Sequence, residues 1–233
     1  MRKMFTILLL FGSTLSVFPQ EQKVYFDDAI NEHLKSYNAQ CDRALINDHV
    51  EYVDVLFDSL KKTYLKGTLI SNFRLRKISG GYIDTDDIKT PILLITKKTC
   101  IVTNREEIRA INEMANQYKG KLEFILLYWD KKRLAKKATK AYNKNVTVVY
   151  VNERDNKLDM SLSSIKNSFG VPASFYITEN KELSNIDRKF FLKNLKKSTK
   201  KEFMENTYKD ITQLLLENET KKKATNISIS GNK

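Results

Sequence analysis

Two short runs of almost unbroken aliphatic residues, "PILLIT" at 91–96 and "LEFILLY" at 122–128, constrain this chain more than any other feature in it. A half-exposed strand shows a polar residue at every second position, so runs this apolar suit strands buried on both faces. Between them, Ile108, Ile111, Met114 and Tyr118 fall on one helical face, and Gly120 stands where that helix must stop. The alternation continues. Asp130 is placed to cap a helix over "KKRLAKKATKAY", "VTVVYV" is a third buried strand, and a polar loop leads to a short helix around "LSSIKNSF". "GVPASFYITENKELSNI" then reads as a hairpin, and a last helix lies near "TKKEFMENTYKDITQLLLE". Upstream, "NFRLRKI" alternates like a strand and "SGG" turns it. The expected class is α/β, a mixed sheet flanked by helices on both faces.

Two helical patterns precede this sheet. Phe26, Ile30, Leu34, Tyr37, Cys41 and Leu45 recur at steps of three and four. Val50, Val53, Phe57, Leu60 and Tyr64 do the same, with Gly67 at the end. They predict an N-terminal helical hairpin across 21–67 whose stripes pack on the following domain, and they put Cys41 on a buried face as a small hydrophobe. The first twenty residues read as an export signal: Arg2 and Lys3, an apolar run from Met4 to Phe11, then small residues at Ser13, Thr14 and Ser16, with cleavage between Ser16 and Gln22. A bilayer span needs roughly 20 apolar residues, and this run is well short of that, so no integral membrane span is expected in the mature chain. From Asn218 to Lys233 the sequence is polar and lysine-rich and is expected to be a disordered tail, which leaves 68–217 as the main domain.

The chain has 233 residues, 41% hydrophobic and 30% charged, and a formal charge of +13. Such a charge points to nucleic acid or an anionic surface only where the cations are organised for one. Here the lysines are scattered over several segments, and neither an arginine-rich recognition helix nor an aromatic base-stacking pattern accompanies them, so nucleic acid is not an expected partner. The two histidines, His33 and His49, are not one helical turn apart, and both cysteines are isolated, which gives a zinc site little support. There is no glycine-rich phosphate loop and no nucleophile elbow, and no cofactor is expected. Asp84, Asp86 and Asp87 form an acidic cluster best read as a solvated turn.

Chemistry concentrates at "ITKKTCIVTN". Cys100 falls between a buried strand and the start of a helix, where the helix dipole and free backbone N–H groups favour a thiolate, and Lys97 and Lys98 are placed to add positive charge. Thr103, one turn along, has a hydroxyl able to donate to the sulfur.

With these residues in view, the stretch from Asn72 to Ile186 resembles the thioredoxin-like domain of secreted thiol-disulfide oxidoreductases of the TlpA and ResA type, in the variety common in Bacteroidetes. "FRLRKISGGYIDTDDIKTPILLITKKTC" is similar to the family's opening strand, glycine turn, second strand and active-site cysteine. "NREEIRAINEMANQYKGKLEFILLYWD" resembles the helix and strand that follow, with Glu106 in the place of a family glutamate. "FGVPASFYI" is similar to the loop carrying a cis-proline. The resemblance implies a cis Pro172 shaping the groove, Val171 as backbone partner of a bound substrate, and Cys100 as nucleophile. It also marks the departures: Thr99 replaces the family's tryptophan, Val102 its proline, and Thr103 its second cysteine. A first thiolate attack survives these changes, but the resolving step does not. An external thiol, or Cys41 if the two cysteines lie within about 7 Å at Cα, would have to resolve the adduct. A peroxidase of the peroxiredoxin kind would want Thr or Ser where Lys97 stands. The expectation is an exported, periplasmic protein exchanging thiols and disulfides with protein or small-molecule partners, with catalytic Cys100, Thr103 and Pro172 and substrate contacts at Val171 and Thr99. The alternative is a non-catalytic binding or scaffolding module using the same groove.

Overall fold

The computed structural model describes residues 23–101, 105–152, 160–188 and 200–230. The export segment 1–20 and Thr103, with Val102, lie outside the described residues.

A pair of helices comes first: α1 (Phe26–Ile46) and α2 (Tyr52–Leu60), the latter continued by one wider π-type turn over Lys61–Leu65. Gly67 follows at φ +85°, a left-handed conformation that costs a glycine little. The strands β1 (Arg74–Lys77), β2 (Tyr82–Asp84), β3 (Ile92–Lys97), β4 (Glu123–Tyr128), β5 (Val146–Tyr150), β6 (Ala173–Ile177) and β7 (Leu183–Asp187) form one sheet in the order β2-β1-β5-β4-β3-β6-β7. The central β5, β4 and β3 are parallel, while β1, β6 and β7 each run antiparallel to their inner neighbour. Between the strands lie α3 (Arg105–Gln117), α4 (Lys132–Ala138) and α5 (Met160–Ser168), and α6 (Lys200–Ser230) closes the chain.

Each central strand feeds two cores because its side chains alternate across the sheet. Ile92, Leu94, Ile125 and Leu127 join a core with Phe26, Phe57 and Ile165 of α1, α2 and α5. Leu93, Ile95, Phe124 and Leu126 join a second with Ile111 and Met114 of α3 and Phe203, Ile211 and Leu214 of α6. Both faces are covered, which is why neither strand carries a polar alternation. The helical pair is seated on the sheet and on the end of α5: the Phe26 ring meets Phe175 of β6 edge-on at 6.1 Å, and Phe57 meets Phe169, just after α5, at 5.2 Å.

Four expectations change. The stripes of the helical pair do not stay buried to the end: Leu45 (52% exposed) and Val50 (60%) at the turn between the helices face out, and Tyr64 (45%) stacks on His33 of α1 instead of entering the core, while Leu56 and Leu65 are buried. Cys41 is buried as its stripe requires. The fourth helix ends at Ala138 rather than near Tyr142, and its N-cap position is Lys131, whose side chain makes no capping bond, so Asp130 does not cap it. A short return strand, β2, completes the hairpin begun by "SGG", and its three residues are too few to display a period. Finally, α6 does not stop at Asn218. It continues to Ser230, and Asn218 is itself buried, its Oδ1 accepting from the Glu179 N–H (2.9 Å). Lys222 pairs with Glu179 (2.7 Å) and Lys221 pairs with Glu182. The polar composition that suggests disorder is here used for ion pairs to the β6–β7 turn.

Candidate functional site

The register of β3 with its neighbours decides what meets Cys100. Thr96 opposes Ala173 on antiparallel β6, so the chain leaving β3 toward Cys100 and the chain entering β6 through Val171 and Pro172 are at one end of the sheet. The β4 exit is there too: the Trp129 N–H donates to the Lys97 carbonyl (2.9 Å). These are the carboxyl ends of the parallel strands, where open α/β sheets leave loops free to carry chemistry.

Cys100 is exposed, in a turn closed by the Ile101 N–H donating to the Lys98 carbonyl (3.0 Å). Thr99 is half-buried, and its backbone N–H donates to Asp130 Oδ2 (2.6 Å). Asp130 therefore anchors the cysteine turn rather than a helix. The Val171–Pro172 peptide bond is cis, Pro172 is buried and Val171 is half-buried against the α1/α2/α5 core. Gly170, before them, has φ +73°. Thr96 fixes the neighbouring strand start: its Oγ1 accepts from the Ala173 N–H (3.1 Å) and donates to the Ala173 carbonyl (3.2 Å). A lone hydroxyl in an otherwise aliphatic run is a signal that such a partner exists, since a buried hydroxyl must be satisfied.

The lysines before Cys100 do not act as a pair of free charges. Lys97 is buried at the end of β3, and its ammonium is paired with Glu107 of α3, which is equally buried. Glu107 is thus the buried carboxylate at the start of α3, while Glu106 pairs at the surface with Arg109. Close to Glu107 lies Tyr142, whose hydroxyl is pushed far above its ordinary range by burial, with the neighbouring Tyr128 and the charge of Glu107 acting in the same direction. Cys41 lies on α1 in the core, beside Tyr37. Burial first, and a hydrogen bond with Cys41 second, hold the Tyr37 hydroxyl well above the ordinary range, although Arg188 donates to it (2.6 Å) and works the other way. Both cysteines are free thiols, one exposed and one buried.

A mixed sheet with a parallel centre, an exposed cysteine between β3 and α3, and a cis-proline entering the adjacent antiparallel strand define the thioredoxin-like fold. The fold of this chain is of that kind, with a helical pair added at the N-terminal side. Among solved structures it is similar to a Chlorobium tepidum protein assigned as the thiol:disulfide interchange protein DsbE, with a TM-score of 0.50 and 19% identity over 64% of this chain and 97% of that one. It is also similar to the thioredoxin domain of a thiol-disulfide oxidoreductase from Bacteroides vulgatus, with a TM-score of 0.46 and 17% identity over 55% and 93% of the two chains. At 19% identity the likeness to the first is one of fold alone. No protein-family model matches the chain, and no curated protein sequence matches it.

Proposed function

We propose that this chain is an exported thioredoxin-fold protein that forms mixed disulfides through Cys100 and depends on a thiol from outside to release them. The observation that carries this reading is the placement of one exposed cysteine at the sheet end that also holds the cis Val171–Pro172 bond. In the reaction, the Cys100 thiolate attacks one sulfur of a partner disulfide. A Cys100–partner disulfide forms, and the other sulfur leaves as a thiolate and takes up a proton. A second thiol then attacks the mixed disulfide and returns Cys100 to its reduced form. Val171 offers its backbone to an extended substrate, Pro172 shapes the groove, and Thr99 borders it. Thr103 stands where a resolving cysteine would complete the cycle. Export follows from the N-terminal segment 1–20, and an oxidising compartment supplies the disulfides.

The test is a trapping experiment with the full chain produced in a Gram-negative periplasm and quenched by alkylation. Wild type should give higher-mass adducts on non-reducing gels that dithiothreitol collapses. Cys100→Ser should give none, and Cys41→Ser should match wild type because Cys41 is buried. Thr103→Cys should dissolve the adducts by internal attack and gain turnover on a model disulfide. A native Cys100 that resists alkylation, or a Thr103→Cys variant with no gain in turnover, would reject the reading and leave the groove as a non-catalytic binding surface.

A further inference from the structure

At the end of the sheet where β3 begins and β6 ends, away from Cys100, lies a groove of about 620 Å³. Three lysines line it: Lys23, Lys89 and Lys181. Lys181 closes the β6–β7 turn at φ +66°, a left-handed conformation that glycine or asparagine adopts at much lower cost. A residue kept in such a conformation against its preference is a reason to ask what its side chain does. The Lys181 ammonium is half-buried and donates to the carbonyls of Ile88 (2.7 Å) and Glu179 (3.0 Å), which fixes it in the groove wall with one N–H remaining of its three. Lys89 is held nearby, its ammonium donating to the Asp86 carbonyl (2.7 Å). Two carboxylates also line the groove. Glu179 is paired with Lys222 of α6 (2.7 Å), and its charge, like that of Asp86, still acts on Lys181, so two carboxylates stand against three ammonium groups in the groove. Burial, and after it the charge of Lys89, pulls the Lys181 ammonium below its ordinary value, although the carboxylates of Asp86 and Glu179 work the other way, so the two cations disfavour each other and are only partly offset.

We infer that this groove is a binding site for a small oxyanion, a phosphate or carboxylate group held between Lys181 and Lys89 with Lys23 at the rim. An anion there would accept the remaining Lys181 N–H and convert the repulsion between two fixed ammonium groups into attraction to a shared partner. The backbone carbonyls that hold both lysines pre-place the donors, so little side-chain freedom is lost on binding. The site is independent of the thiol chemistry proposed for Cys100.

Calorimetric titration of the full chain with inorganic phosphate and, separately, with succinate, at one fixed ionic strength, tests this. At least one probe should bind saturably with one site per chain. If phosphate binds tighter, the natural ligand is phosphorylated; if succinate does, it is a carboxylate; either supports the site. Lys181→Asn, which suits the left-handed position and lacks the ammonium, should weaken binding at least tenfold. Lys89→Gln should weaken it at least threefold. Lys137→Gln, exposed on α4, should change nothing, which separates the site from the general positive charge of the chain. Cys100→Ser should bind as wild type does, so failure here leaves the thiol reading untouched. No saturable binding of either probe, or wild-type affinity in Lys181→Asn, overturns the proposal. Should Lys181→Asn not fold, wild-type affinity in Lys89→Gln overturns it equally.

Discussion

The contact whose perturbation is most informative is the Lys97–Glu107 pair, because both partners are buried and Lys97 ends β3 just before the cysteine turn. Removing one member of such a pair leaves the other charge without its counterion in a poor solvent, which typically costs about 3–5 kcal/mol. Glu107→Ala should therefore lower the urea midpoint steeply. Replacing both, as Lys97→Met with Glu107→Leu, should recover most of that loss, since two apolar side chains of similar size remove the desolvation penalty together with the attraction. A double variant as unstable as the single one would show that the pair is held by its surroundings rather than by its charge. Glu107 also shows why residue roles are only partly legible in a sequence. The helical period over 105–118 marks Ile111 and Met114 correctly as core, yet Ile108 and Tyr118 are only half-buried and the acidic Glu107 is buried in their company. Its partner is ten positions away on a different element. Asp130 is similar: its chemistry as a cap is readable, but the N–H that it caps belongs to Thr99, 31 positions upstream. Cys41 is the opposite case, because a local stripe suffices to predict its burial.

Among the elements, α6 carries titratable contacts of opposite sign. Burial first, and the charge of Asp187 second, raise the Asp210 carboxyl from an ordinary 3.8 to about 6, although Lys61 and hydrogen bonds from Asn185 and Tyr176 oppose this. A proton is then held more tightly in the folded state than in the unfolded chain. The contribution is full below the unfolded value and is lost as pH rises through about 6. Glu217 behaves in reverse. Burial pushes it up, but hydrogen bonds from Lys66, Ser184 and Gln213 outweigh that and hold it below its ordinary 4.5. Its contribution is present above that value and is lost as pH falls through the lowered one. Docking of α6 should accordingly be firmest at about pH 4, where the Asp210 contribution has barely begun to fall, measured by amide exchange along 203–218. Asp210→Asn should remove the loss between about pH 4 and 6.5 and leave the acid side unchanged. An exchange profile that is flat with pH in wild type would reject this account. The sequence marks α6 through its apolar residues as far as Glu217, but beyond that the helix is tied by Lys221 and Lys222 to Glu182 and Glu179 of a distant hairpin, and no local pattern announces these pairs.

At the scale of the whole molecule, the helical pair and the sheet share one core, although the sequence presents them as successive segments. Phe26, Ile30, Phe57 and Leu60 pack into the same cluster as Ile92, Leu94 and Ile125 of the central strands. Removing residues 23–65 would uncover that face of β3 and β4, and each large side chain so exposed forfeits about 1.5–3 kcal/mol. The shortened chain should bind a hydrophobic dye and lack a cooperative thermal transition. A truncated protein that melts cooperatively would show that the sheet is a domain by itself. The alternation of strands and helices makes the α/β class legible from the sequence. What it leaves open is which face of the sheet the first two helices cover, because a helical stripe specifies a buried side and not the surface that buries it.

The two margins of the sheet are treated differently. Beyond β7, the segment at 67–70 exchanges backbone hydrogen bonds with Leu183 and Lys181, and the chain at 24–26 in turn bonds to Leu69. At the other margin β2 is three residues long, and among the described residues no further strand pairs with its outer side. An unpaired margin is a template on which another chain can add itself, and short strands are one means by which proteins keep such templates ineffective. At high concentration, then, strand-to-strand growth of this protein into fibres would have to begin from Tyr82–Asp84. The opposite margin becomes available only after the segments at 24–26 and 67–70 peel away from it, so crowding and partial unfolding should open two different routes to aggregation.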